Sequence, residues 1–287
     1  MYDYLQTVDD GLPVRPAGSW TAEKLDYLDR YIAVFTTSMR KKWDLLNYID
    51  LQAGPGKNLI DQTGEILLGS PLLALTTQYP FGGYYFVEYD KNNAKALENR
   101  CSASKLSERV QLIVGDCNQV VETIVNQLKD NEQSSLNLAF LDPEGLELKW
   151  STVARLASIR RMDMIINYPQ GGLSRFMPKV YEQAEESAVD AFFGSREWRP
   201  IYAKYQVQSS KGLHRELIDL YLGRLQALGY SEVLRDDQVG DEPLMRNSQH
   251  NAPLYRLLFA SKHTLGKKFW RGVTKRDVYG QRRLFDA

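Results

Sequence analysis

Two cysteines in 287 residues, Cys101 and Cys117, are too few for a disulfide framework or a cysteine-rich metal site, and such scarcity fits a reducing compartment. Histidine is almost as rare. His214, His250 and His263 stand without a second histidine, cysteine or carboxylate at ligand spacing, so no metal centre is expected. No apolar run approaches the length needed to span a bilayer, and the opening residues have neither a basic start nor an apolar stretch. Neither secretion nor membrane insertion is expected, which leaves the cytoplasm. Net charge is also missing: 36 basic residues balance 36 acidic ones, so overall charge selects no partner.

What is present is the composition of an ordinary folded protein, with 43% hydrophobic and 25% charged residues. The length suffices for one large α/β domain, or one with a small appendage. Apolar runs rich in β-branched and aromatic residues alternate with helical patterns, the signature of βαβ units around a parallel sheet. Six strands are expected, at Leu46 to Leu51, Tyr84 to Tyr89, Val110 to Val114, Leu136 to Leu141, Met162 to Asn167 and Tyr255 to Ser261. The first five are almost uniformly apolar and read as central strands covered on both faces. Helices are expected at Trp20 to Met39, from Ser70-Pro71 through Leu75, and at Asn92 to Ser104, Asn118 to Leu128 and Ser151 to Arg160. After Pro169 comes a mostly helical stretch from Arg175 to Gln206 and an amphipathic helix from Leu213 to Leu228. A strand near Tyr230 to Leu234 and a polar loop through Asp236 to Ala252 follow.

The first strand runs into Ala53-Gly54-Pro55-Gly56, where two glycines let the backbone approach a ligand at the carboxyl end of a parallel strand. Acids then end the next strands in turn. Glu88 is suited to accept from two ribose hydroxyls, Gly115-Asp116 to flank an adenine ring and accept from its amino group, and Asp142-Pro143 closes the fourth strand. A nicotinamide dinucleotide site wants a third glycine and a helix that begins at once, whereas here Asn58 to Gly69 delay the helix, which favours a ligand without phosphate. That interposed segment reads either as a lid or as a surface hairpin.

Asp50, Gly54 and Gly56, Glu88, Gly115-Asp116 and Asp142-Pro143 resemble, in order and spacing, the motifs of class I S-adenosylmethionine methyltransferases. More narrowly, AGPG, GSPLLAL, FVEYD, FLDPEGL, WSTV, MIINYP, FFG with Trp198 after it, and LLFASKH together resemble the three-Cys-motif partner family, found beside a radical-SAM-like protein. The resemblance spans Trp20 to Phe269. It implies a doubly wound, mostly parallel Rossmann-like sheet with helices on both faces and a mostly helical insertion after the fifth strand. It implies S-adenosylmethionine as cofactor, with Asp50, Ala53, Gly54, Pro55 and Gly56 against its methionine portion, Glu88 on the ribose, Gly115 and Asp116 at the adenine, and Asp142 beside the transferable methyl. Amino-group methyltransferases commonly carry a second proline and an aromatic after that proline, and Glu144-Gly145 stand there instead.

Asn167 ends the fifth strand near the same cleft, either to hydrogen-bond an acceptor or simply to terminate the strand. His263, after the last strand, is either a general base or a surface histidine. From Lys262 onward eight Lys or Arg face only Asp277 and Asp286. There Lys267, Lys268, Arg271, Lys275, Arg276, Arg282 and Arg283 interleave with Phe269, Trp270 and Tyr279, as in a nucleic-acid contact or in a solvated tail that packs its aromatics. The chain divides into a leading segment (1–42), an α/β core (43–170), the insertion (171–228), completing strands (229–265) and a basic tail (266–287). A methyltransferase of open acceptor is the leading reading. A silent partner of the radical-SAM-like protein, and an enzyme using the same pocket for other chemistry, are its rivals.

Overall fold

The computed structural model describes residues 4–207, 212–230 and 242–276. The chain opens with β1 (Arg15–Ala17) and α1 (Trp20–Met39), then β2 (Leu45–Asp50), β3 (Lys57–Ile60), β4 (Ile66–Leu68) and α2 (Ser70–Thr76). Strand and helix alternate through β5 (Gly83–Glu88), α3 (Lys91–Ser102), β6 (Val110–Val114), α4 (Cys117–Lys129), β7 (Ser135–Leu141), α5 (Trp150–Ala157) and β8 (Met162–Tyr168). Four helices follow: α6 (Gln170–Val180), α7 (Ala188–Phe193), α8 (Trp198–Val207) and α9 (Leu213–Ala227). The strands β9 (Leu244–Arg246) and β10 (Pro253–Ala260) and the helix α10 (Thr264–Thr274) end the described chain.

The main sheet has seven strands in the order β6-β5-β2-β7-β8-β10-β9, parallel except where β10 runs against both β8 and β9. Helices cover both faces. Leu72 of α2, Leu97 of α3 and Trp270 of α10 join α1 on one, and α4 to α9 bury Val121, Val153, Leu173, Phe192, Trp198 and Tyr221 on the other. This is the doubly wound, mostly parallel architecture expected. Helix α1 docks because Leu25, Leu28, Ile32, Phe35 and Met39 recur every three or four residues on one buried stripe. No described helix is long and apolar enough to cross a membrane.

Four expectations need correction. Strand β6 is an edge strand, with every residue half-buried or exposed, because none of the described residues pairs beyond it in the sheet; its apolar side chains are half covered by helices and mimic a central strand. Leu244 to Arg246 is a strand inside the expected polar loop, too short for its two apolar residues to register against the polar ones around them. Tyr230 carries no strand, and residues 231–234, expected to continue one, lie outside the described residues, as do 236–241 of the loop. Nor do residues 266–276 form a tail. Trp270 is 1% exposed, stacked on Phe259 at 5.2 Å and meeting Tyr31 edge-on at 5.8 Å, so α10 is part of the core.

Candidate cofactor and acceptor site

The strand order reverses between β2 and β7, and in open α/β sheets the crevice at the carboxyl ends of such strands takes the ligand. The turn after β2 is held open there by two left-handed glycines, Gly54 at φ +65° and Gly56 at φ +94°. A Cβ on Gly56 would lie 3.0 Å from Leu97 and 3.2 Å from Leu72. Glu88, at the end of β5, clamps the turn: Gly54 N donates to Oε2 at 2.7 Å and Asp90 N donates to Oε1 at 2.9 Å.

Beneath the turn runs a buried ionic knot. Asp10 accepts from Arg100 at 2.6 Å and pairs with Lys57 at 2.8 Å, and all three side chains are fully enclosed. Arg100 also donates to the carbonyls of Pro13 at 2.8 Å and Pro55 at 2.6 Å. The knot ties the segment before β1 to the glycine turn, and β1 then pairs alongside β3, which forms a hairpin with β4. The segment after Gly56 is therefore a hairpin with a third strand against it. It also returns the chain to the turn, because Gly69 N donates to Gly56 O at 2.7 Å and both Gly69 and Ser70 line the cleft. The helix that this segment delays in sequence nevertheless starts beside the turn, although the seven residues of α2 are too few for an anion site.

Two cavities meet at this crevice. The larger, about 900 Å³, is lined by Ala53 to Asn58, Asp142, Asn167 and the starts of α1 and α6. The smaller, about 640 Å³, is lined by Glu88, Tyr89, Gly115, Asp116 and Glu147 among others. Arg15 and Glu144 border both and form a 3.0 Å ion pair across the junction. Asp116 also caps α4, accepting from Asn118 N at 2.8 Å. Asp50 borders neither cavity: it is fully buried under the turn, and burial pushes its carboxyl up to about 7.

Asp142 is 7% exposed and engaged through both oxygens. One oxygen takes the Lys24 ammonium, and the other accepts from Asn167 Nδ2 at 2.7 Å. With both oxygens held, the carboxylate anchors its neighbours rather than standing as a free base. Neither Lys24 nor the cavity residues Arg15, Trp20, Arg175 and Tyr255 were expected from the sequence, and neither was Tyr89, whose ring is 79% exposed beside Glu88. A hydrophobic residue directly after the strand-ending acid was the available signal for Tyr89. Lys24 lies in the middle of a helical pattern and announced nothing.

His263 is not in the crevice. Because β10 runs antiparallel, it carries the chain to the opposite end of the sheet, pairing Ala260 with Met164, and there His263 caps α10 by accepting from Leu265 N at 3.1 Å. Of the basic residues, Lys268, Lys275 and Arg276 are exposed on or just after α10, Lys267 and Arg271 are half-buried, and Tyr279, Arg282 and Arg283 lie outside the described residues. Trp270 is enclosed and offers no face to a base. Trp270→Phe is expected to lower stability by about 2 kcal/mol through lost packing, read from denaturant unfolding, and a neutral result would sink the core assignment. Among the described residues, no three His, Cys, Asp or Glu gather as a metal site.

No protein-family model matches the chain, and no curated protein does. Solved structures do match. A Legionella pneumophila protein aligns at 16% identity over 57% of this chain and 74% of its own, with a TM-score of 0.41. An O-methyltransferase of Streptomyces achromogenes involved in tomaymycin synthesis, in complex with SAM, aligns at 10% identity over 84% and 80%, with a TM-score of 0.44. An M. jannaschii protein, TYW2, in complex with AdoMet, aligns at 11% identity over 85% and 76%, with a TM-score of 0.38.

Proposed function

We propose that the chain binds S-adenosylmethionine across the two joined cavities and transfers its methyl group to an acceptor held in the larger one. The observation that carries this reading is Glu88. Its carboxylate holds the glycine turn through Gly54 N and the start of α3 through Asp90 N, and the residue lines the smaller cavity, so the turn and the acid form one rigid cradle. Each of its oxygens has a further lone pair for a ribose hydroxyl. Tyr89 offers an exposed aromatic face beside it, and Asp116 an acceptor. The lining suits a cationic ligand: with Glu144 paired to Arg15, Glu88, Asp90, Asp116 and Glu147 remain against Lys149 around the smaller cavity.

When bound, the cofactor supplies a methyl carbon on a cationic sulfur that becomes a neutral thioether on transfer. For such a displacement the protein mainly provides alignment and exclusion of water. Lys24, Asp142 and Asn167 form a fixed wall next to the turn, and Trp20 and Tyr255 give the larger cavity flat apolar sides. A nucleic-acid acceptor would rely on Lys267, Lys268, Arg271, Lys275 and Arg276 without a stacking tryptophan, so a small acceptor inside the cavity is better supported. The radical-SAM-like partner implied by the family resemblance belongs to the same proposal, and turnover of labelled cofactor separates an active enzyme from a silent partner.

Calorimetric titration tests the ligand. S-adenosylmethionine and S-adenosylhomocysteine are expected to bind, and nicotinamide dinucleotides to give no heat of binding under the same conditions. The reverse order would sink the reading.

A further inference from the structure

The glycine turn carries a guanidinium on its open side. A Cβ on Gly54 would lie 3.2 Å from Cζ and Nη2 of Arg15 and 3.4 Å from its Nε, so the planar group packs directly on the turn. Arg15 Nη2 also pairs with Glu144 at 3.0 Å. Among the described residues these two alone border both cavities, and their ion pair stands where a ligand reaching from one cavity into the other has to pass.

The two ends of the pair are held differently. The backbone at Arg15 is fixed, because β1 pairs with β3, placing Arg15 opposite Asn58, and Arg100 ties the carbonyls of Pro13 and Pro55 together beneath it. The Glu144 backbone is fixed as well, since Glu144 N and Gly145 N donate to the Glu147 carboxylate at 2.5 and 2.9 Å. The Glu144 side chain is not: it is 69% exposed, against 24% for Arg15, and an ion pair with one partner in open water is weakly held. Arg15 can therefore change partner by a swing of the Glu144 side chain alone.

A carboxylate brought in by a ligand would compete well for that guanidinium. It would meet a fork suited to a two-point bond, inside a crevice where water screens the charges less than it does at Glu144. Other cations on the lining are already engaged or stand elsewhere: Lys24 holds Asp142, Lys57 is enclosed with Asp10, and Arg175 belongs to α6.

We propose that the Arg15–Glu144 pair is a latch between the two cavities, opened by the cofactor itself. The α-carboxylate of the methionine portion, lying against the glycine turn, replaces Glu144 on Arg15, and Glu144 moves into solvent and clears the junction. The proposal rests on the S-adenosylmethionine reading and adds to it the residue that recognises the amino-acid end and the residue that guards entry.

The test is calorimetric titration of the full-length protein with S-adenosylhomocysteine and with its decarboxylated analogue, which keeps the nucleoside, thioether and ammonium and lacks only the carboxylate. Arg15→Gln is expected to weaken S-adenosylhomocysteine roughly tenfold or more, the loss that follows removal of a charge-assisted pair, and to leave the analogue within about twofold of wild type. Arg15→Lys, which keeps the charge but not the fork, is expected to fall between wild type and Arg15→Gln. Glu144→Gln removes the competitor and is expected to tighten S-adenosylhomocysteine about two- to fivefold. Equal losses for the two ligands in Arg15→Gln, no loss for either, or an affinity that Glu144→Gln fails to raise would each overturn the latch and leave the cofactor reading standing. If neither ligand binds the wild-type protein, the cofactor reading falls and the latch falls with it.

Discussion

Asp10→Ala is expected to lower the free energy of unfolding by about 3–5 kcal/mol, because it strands two enclosed cations without their common partner. Lys57 and Arg100 would both remain inside a region where their side chains have no exposure. Arg100 would keep its carbonyl partners at Pro13 and Pro55, and Lys57 its bond to Val8 O at 2.9 Å, which soften the loss without cancelling it. At roughly 2–4 °C per kcal/mol for a chain of this size, the melting temperature should drop by about 10 °C. The acid dependence carries a definite sign. Burial raises the Asp10 carboxyl, but hydrogen bonds from Arg100 and Lys57 outweigh it and bring it to about 2. A carboxylate held below its unfolded pKa of about 3.9 stabilises the fold above that value and loses the contribution as pH falls through 2. The gap between wild type and variant should therefore be full at neutral pH and should narrow by about 2–3 kcal/mol as pH falls from about 4 to below 2. A gap below about 1 kcal/mol at pH 7 would show that the knot is not the buried pair described here.

Glu88→Ala is expected to weaken S-adenosylhomocysteine binding about 10- to 100-fold, since a charged acceptor facing ligand hydroxyls is worth roughly 1.5–3 kcal/mol. The loss should fall at the upper end of that range, because the same carboxylate positions the glycine turn through Gly54 N and the start of α3 through Asp90 N. Glu88→Gln should be nearly as damaging. An amide has a single oxygen, so its NH₂ group would point at one of two backbone N–H donors, and the turn would shift. Calorimetry on both variants, with circular dichroism to confirm folding, decides the matter: unchanged affinity in a folded Glu88→Ala protein removes this residue from the site.

Most of the architecture was legible because it is written in local patterns. The apolar strands at Val110 to Val114 and Leu136 to Leu141 and the helix at Trp20 to Met39 match what their periodicity predicts within a residue. The strand-ending residues Glu88, Asp116 and Asp142 were legible for the same reason, as acids at fixed places relative to apolar runs. What could not be read is what distant segments do to one another. Lys24 meets Asp142 across 118 positions, and Asp10 meets Arg100 across 90, with no local signature at either end. His263 follows a strand just as the cleft residues do, but strand direction is a property of the whole sheet, and reversing it moved the histidine to the opposite end of the strands. The basic stretch shows the same limit, since Trp270 looks identical in sequence whether its ring stacks on a base or on Phe259.

The pairing of Tyr31 with Phe259 and Trp270 also governs the order in which the chain can finish folding. Those partners are made more than two hundred residues after Tyr31, so at 5–20 residues per second a nascent chain carries the bare stripe of α1 for roughly 10 to 45 s. During that interval Tyr31, Phe35 and their neighbours have an incomplete sheet to cover and no α10 to cover them. Contacts so widely separated in sequence slow the final closure. The sheet face beneath α1 and α10 is accordingly the last to be sealed, and it is the surface that a folding chaperone would meet.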